Sequence, residues 1–106
     1  MSAVATYFDT RYQAMQDGRA GVWRIAYEQQ VELLEALIQP GMTVLDVGCG
    51  PSLPYRADDA YVIGLDPSAS SLAVNTDVGY RIVGTAEDIP LSELPVDLTV
   101  AKGGAS

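Results

Sequence analysis

Residues 44 to 52 read Val-Leu-Asp-Val-Gly-Cys-Gly-Pro-Ser, an apolar run that carries a carboxylate, Asp46, into a glycine turn. A second apolar run, Tyr61-Val62-Ile63-Gly64-Leu65, ends on Asp66, 20 positions after Asp46. Two strands that each finish on an acid can present both acids to one ligand. Glycine at 48 and 50 permits a positive φ and puts no side chain between backbone and ligand, so the turn's amides are expected to stay free to cradle one. Negative charge at Asp46 suits an ammonium group or an ordered water better than a pyrophosphate. Asp66 can accept from both hydroxyls of a ribose. Together these residue types and spacings suit a nucleoside-bearing ligand.

The rest of the composition narrows the chemistry. The chain has 106 residues, enough for one domain with one core. Its 14 acids against 6 bases, a net charge of -8, offer nothing to attract nucleic acid or an anionic membrane. The absence of histidine removes the commonest general base and any Ser/His/Asp triad. Cys49, the only cysteine, excludes an internal disulfide and a multi-cysteine metal site, so no metal is expected. It is read as a packing residue rather than a nucleophile. The first residues lack the pattern of a signal peptide and no run reaches membrane-span length, so the expectation is a soluble, cytoplasmic chain.

The elements that must position the acids follow from periodicity. Val4, Tyr7, Phe8, Tyr12 and Met15 recur at helical spacing and predict a first helix over 3–15, broken at 17–21. Trp23, Tyr27, Val31, Leu34 and Ile38 share one face of a second, with Glu28, Glu32 and Glu35 on the other, and Pro40-Gly41 stops it. Strands are expected at 42–47, 61–65, 80–83 and 96–101, with a helix opening at Pro67. Pro51 and Pro54 leave room for no more than a turn or two between the first two strands. This order belongs to an α/β domain with a mostly parallel sheet, whose ligands sit beyond the carboxyl ends of the strands near a topological switch point.

Three segments resemble, in order and spacing, the cofactor motifs of class I S-adenosyl-L-methionine-dependent methyltransferases. They are Val-Leu-Asp-Val-Gly-Cys-Gly-Pro-Ser at 44–52, Val-Ile-Gly-Leu-Asp-Pro-Ser at 62–68 and Gly-Thr-Ala-Glu-Asp-Ile-Pro-Leu at 84–91. The likeness covers residues 20–101 and is greatest to the small-molecule branch that includes quinone-biosynthesis enzymes. It implies a Rossmann-like parallel sheet with flanking helices. Asp46, Gly48 and Gly50 would then meet the methionine part of S-adenosyl-L-methionine, with Asp46 near its amino group. Asp66 would bind the ribose, with Pro67 and Ser68 flanking the adenosine. Ala86, Glu87, Asp88 and Ile89 match the adenine loop, in which Asp88 would accept from the exocyclic amine. Ala101 and Lys102 would line the passage to a small-molecule substrate. Glu87 and Asp97, read on their own, are solvated surface acids. No catalytic residue is assigned. Tyr7, Phe8 and Tyr12 serve equally as core or as a substrate lid, Trp23 reads as core, and Arg11 reads as an exposed helix charge.

A dinucleotide fingerprint would want glycine or alanine at Leu53 and a helix where Pro51 and Pro54 stand. Those prolines also depart from the methyltransferase pattern. The family sheet runs 3-2-1-4-5-7-6, so the expected arrangement is partial, with strand order 3-2-1-4 only. Residues 1–40 form N-terminal helices and 41–106 the N-terminal half of the cofactor-binding domain. Truncation after the fourth strand is read as a fragment of a longer enzyme, the alternative being a short protein that dimerises through the fourth strand, an open edge where Leu98 and Val100 invite self-association. The function expected is methyl transfer to a small-molecule acceptor, with this chain supplying the cofactor-binding half. The alternative is a non-catalytic S-adenosyl-L-methionine-binding module or inactive fragment.

Overall fold

The computed structural model describes residues 3–7, 20–89 and 93–102, and their side chains except those of 3–7, 20–24, 26, 27 and 102. The elements are β1 (Ala3–Tyr7), α1 (Ala20–Leu37), β2 (Thr43–Val47), β3 (Tyr61–Asp66), α2 (Ala69–Val74), β4 (Tyr80–Val83) and β5 (Leu98–Lys102). A short 3-10 turn, Ala86–Asp88, follows β4. All strand pairs are parallel, in the order β1-β5-β2-β3-β4. The four strands expected from sequence are β2 to β5, and their arrangement β4-β3-β2-β5 is the anticipated 3-2-1-4.

The fifth strand corrects the N-terminal expectation. Residues 3–7 are strand rather than the start of a helix, and they pair with β5 from Ala3 opposite Leu98 to Tyr7 opposite Lys102. Over so short a window the helical spacing of Val4 and Tyr7 was coincidental; β-branched Val4 and Thr6 and aromatic Tyr7 suit a strand once an edge is available to pair. Phe8, Arg11, Tyr12 and Met15 lie outside the described residues, as do the side chains of Tyr7, Trp23 and Tyr27. β5 therefore is not an edge. It is flanked by β1 and β2, and Leu98 and Val100 are buried, so the open strand invoked for self-association is covered from within the chain.

Both faces of the sheet are packed, which is why β2 reads as a continuous apolar run rather than an alternating one. On one face Val44, Val62, Leu98 and Val100 meet Leu34 of α1 together with Tyr55 and Val78 from the connections. On the other, Leu45 and Leu65 meet Val96, with Ile82, Ile89 and Leu94 packed around them. Each fully buried leucine or valine contributes about 1.5–3 kcal/mol. The connections that step outward to β3 and β4 supply the first face, and the return from β4 to β5 supplies the second. The chain order thus reverses beside β2.

Helix α1 follows its expected apolar face at Val31 and Leu34, Ile38 just beyond its end packs on the same core, and glycine at 41, with φ 83°, turns the chain into β2. Its outer side is less uniformly acidic than expected, because Ile25, Leu33 and Leu37 are exposed there. Glu35 turns instead to the β2–β3 connection, where it accepts the amide of Arg56 at 2.7 Å.

Candidate functional site

The glycine turn after β2 has the backbone that its sequence demands. Gly48 and Gly50 have φ of 75° and 68°, in the left-handed region that costs other residues about 1–2 kcal/mol. Among the described residues a Cβ at Gly48 would meet nothing within 4 Å, so it is conformation that requires glycine there. The amides, however, are not free. Those of Gly48 and Cys49 both donate to the carbonyl of Leu65, at 2.7 and 3.2 Å. The amide of Gly50 donates to Asp66 Oδ2 at 2.9 Å. The expected amide cradle is spent on joining the end of β2 to the end of β3. An anion would find no unpaired donors among these three.

Asp66 is the joint. Its Oδ2 holds Gly50, its Oδ1 accepts the amide of Ser68 at 2.8 Å, and its carbonyl accepts the amide of Gly84 at 3.0 Å. Ser68 in turn caps α2 by accepting the amide of Ser71 at 3.2 Å. Asp66 is half-buried, and each carboxylate oxygen keeps further acceptor capacity beyond its amide bond. The residue expected to bind a ribose is thereby held rigidly at the mouth of three strand ends while still able to accept from hydroxyl groups.

Asp46 departs from the expectation. It is fully buried, with Val44 on the face packed by the connections, and the Tyr55 hydroxyl donates to its Oδ2. Its strand neighbours in register are Gly64 and Val100. It lies within the fold rather than projecting into a cleft with Asp66. The physical reason is strand alternation: a residue two places before the turn falls on a face that the irregular connection folds down to cover. Cys49 is buried as expected, and its Sγ would stand 2.8 Å from a Cβ placed on Gly64, so it packs across that glycine.

The other expected site residues gather around Asp66. Pro67 is exposed beside it. Ala86, Glu87 and Asp88 form the exposed 3-10 turn beyond β4, which the Gly84–Asp66 hydrogen bond ties to β3. Asp88 spends Oδ2 on capping that turn, accepting from the amide and hydroxyl of Thr85 at 3.0 and 3.1 Å. Ile89 is half-buried and packs into the cluster of Leu45 and Leu65. Ala101, half-buried on β5, is in register with Val47. Gly48, Gly50, Asp66, Pro67, Ala86 to Ile89 and Ala101 thus share the carboxyl end of the sheet, and Asp46 alone is withdrawn from it. Asp97, exposed at the opposite end, accepts the amide of Thr43 at 2.8 Å and pins the start of β2 to that of β5.

Sequence reasoning passed over Asn75, Asp77, Tyr55 and Arg81. The two-proline connection contains no helix, and these residues hold parts of it or of its support. Asn75 donates to the Gly50 carbonyl at 2.9 Å, and Asp77 accepts the Leu53 amide at 3.0 Å. Arg81 donates to the carbonyls of Leu72, at 2.7 Å, and Asn75 at the end of α2. The available signal was indirect: a loop that cannot be helical needs other partners for its backbone.

Two hollows lie elsewhere. One of about 530 Å³ is lined by Tyr55, Arg56, Tyr61, Thr76, Asp77 and Gly79 among others, and one of about 220 Å³ by Glu35, Pro40, Arg56 and Asp59 among others. Both adjoin the start of β3, where a regular crossover helix would otherwise pack, rather than the strand ends that carry the acids. Neither is lined by Asp66 or the 84–89 loop, so the candidate site is argued from the chemistry of the strand ends.

Fold and site define an α/β domain with an all-parallel sheet in a partial Rossmann-like arrangement. No family model matches the chain, no curated protein matches it, and no solved structure matches it. Among the described residues no helix is long and apolar enough to cross a membrane, and no group of three or more Cys, Asp or Glu side chains is placed to hold a metal ion.

Proposed function

We propose that the chain binds S-adenosyl-L-methionine at the carboxyl end of its sheet and serves methyl transfer to a small-molecule acceptor. One observation carries this reading: a half-buried carboxylate, Asp66, is locked at a strand end beside a glycine turn whose amides point into the protein. Such a site favours ribose hydroxyls and a cationic ligand, and it disfavours a pyrophosphate, which needs unpaired amides. The net charge of -8 acts in the same direction.

In this reading Asp66 accepts from the ribose hydroxyls with the lone pairs its amide bonds leave over. The Ala86–Asp88 turn borders the adenine, with Asp88 Oδ1 as the acceptor for its amine, and Ile89 supports the turn from the core. Gly48 and Gly50 border the methionine part, and Ala101 flanks the way to the acceptor. Bound there, the cofactor supplies a methyl group already activated by its sulfonium charge. The residues need then only align two reactants, a contribution of about 7–11 kcal/mol in favourable cases.

Calorimetry with S-adenosyl-L-methionine and its demethylated product, followed by a transfer assay on a panel of small quinones and amines, tests the proposal. Binding of both ligands with transfer to a panel member is expected. Binding without transfer would favour the non-catalytic binding module. No heat with either ligand at millimolar concentration would overturn the assignment.

A further inference from the structure

We infer that Asn75 is a positioning residue for the glycine turn, setting the turn's affinity for the methionine end of the ligand. The inference rests on the cofactor reading above and goes beyond the motif residues that suggested it.

Asn75 is fully buried, and a buried amide side chain is tolerated only when its polar atoms are paired. Its Nδ2 donates to the Gly50 carbonyl at 2.9 Å, and its Oδ1 accepts the Asp77 amide at 2.8 Å. Its backbone amide donates to the Leu72 carbonyl at 3.1 Å, and its own carbonyl accepts from Arg81 Nη2. The side-chain amide is therefore oriented by its own two bonds, to the Gly50 carbonyl on one side and from the Asp77 amide on the other.

What it fixes in turn is Gly50. The amide of that residue is held by Asp66 and its carbonyl by Asn75, so side chains from two different elements grip both polar atoms of one glycine. Glycine in the left-handed region, here at φ 68°, is free to rotate its peptide unless something stops it. The peptide after Gly50 leads into Pro51 and carries no N–H, so rotating it would swing a bare carbonyl dipole with no donor to compensate. Asn75 keeps that carbonyl turned into the protein. A regular crossover helix would pin the turn by its own first hydrogen bonds; this chain, with prolines at 51 and 54, delegates the task to a side chain 25 residues away.

Asn75→Asp tests this most directly, since it keeps the acceptor for Asp77 and sets an oxygen against the Gly50 carbonyl. Arg81→Met is the control: it removes two donors from the same region without touching Gly50. Affinities for the demethylated cofactor and for adenosine alone are measured by calorimetry well below each variant's melting temperature. Asn75→Asp should weaken the demethylated cofactor by roughly tenfold or more, as expected for an unpaired buried acceptor. It should leave adenosine within about twofold, and Arg81→Met should leave both ligands within about twofold. Equal affinity in wild type and Asn75→Asp overturns the inference, as does an equal loss in Arg81→Met. A wild type that binds neither ligand overturns the cofactor reading itself, and the inference with it. Should Asn75→Asp not fold, the wild-type protein serves by NMR. The Asn75 side-chain amide signals should shift with the demethylated cofactor and not with adenosine, and stationary signals under saturating cofactor overturn the inference.

Discussion

The carboxylate of Asp66 accepts the amide of Gly50 at 2.9 Å, so the last residue of β3 holds the turn that follows β2. With the Leu65 carbonyl taking the amides of Gly48 and Cys49, the two strand ends act as one rigid rim. It offers acceptors to hydroxyls and refuses unpaired donors to phosphates.

Asp66→Ala removes acceptors for the amides of Gly50 and Ser68. Hydrogen bonds to a charged partner contribute about 1.5–3 kcal/mol each, less where solvent reaches them, so a loss of about 2 kcal/mol in urea unfolding is expected. Ligand heat in calorimetry should vanish with it. A stable variant that still binds the demethylated cofactor at wild-type affinity would remove Asp66 from the site.

Gly48→Ala and Gly50→Ala each force a Cβ into the left-handed region, at φ of 75° and 68°. Each is expected to lower the unfolding free energy by about 1–2 kcal/mol. Gly48→Asn should cost less, since asparagine visits that region more readily. Equilibrium urea curves for the three variants give the comparison.

Tyr55→Phe deletes the hydroxyl that donates to buried Asp46. A destabilisation of about 1.5–3 kcal/mol is expected from losing a buried bond to a carboxylate. Because Asp46 lies within the fold rather than at its mouth, affinity for the demethylated cofactor should hold within about twofold, which corresponds to about 0.4 kcal/mol. A large affinity loss with little change in stability would place Asp46 back in the ligand's path.

Gly64→Ala would bring a Cβ to 2.8 Å from Cys49 Sγ and 2.9 Å from Val78 Cγ1. Overpacking of this kind costs about 1–3 kcal/mol. Cys49→Ala opens space on one side of the clash, so the double variant should be more stable than the sum of the single losses allows. A double-mutant cycle in urea measures that coupling.

Much of the scaffold was legible because it depends on local pattern. The apolar runs ending at Val47, Leu65 and Val83, the amphipathic stretch through Leu34 and the glycines at 48 and 50 each carry their own conformational reason. Ala3 to Tyr7 was misread because five residues hold both periodicities, and only the vacant edge of β5 decides between them. The candidate site divides along the same line. Asp66 and the 84–89 loop stand where strand-end logic puts them. Asp46 does not, because its environment depends on where Tyr55 folds.

The sequence by itself determined a parallel α/β sheet with a glycine turn and an acid at adjoining strand ends, since propensity, periodicity and the sterics of glycine act within a few residues. Tertiary structure alone decided how those groups are used. It turned the amides of Gly48, Cys49 and Gly50 inward, buried Asp46 under Tyr55, and brought Asn75 to the carbonyl of Gly50. Hydrogen bonds between residues 9 to 25 positions apart depend on the path of an irregular connection that no local rule specifies.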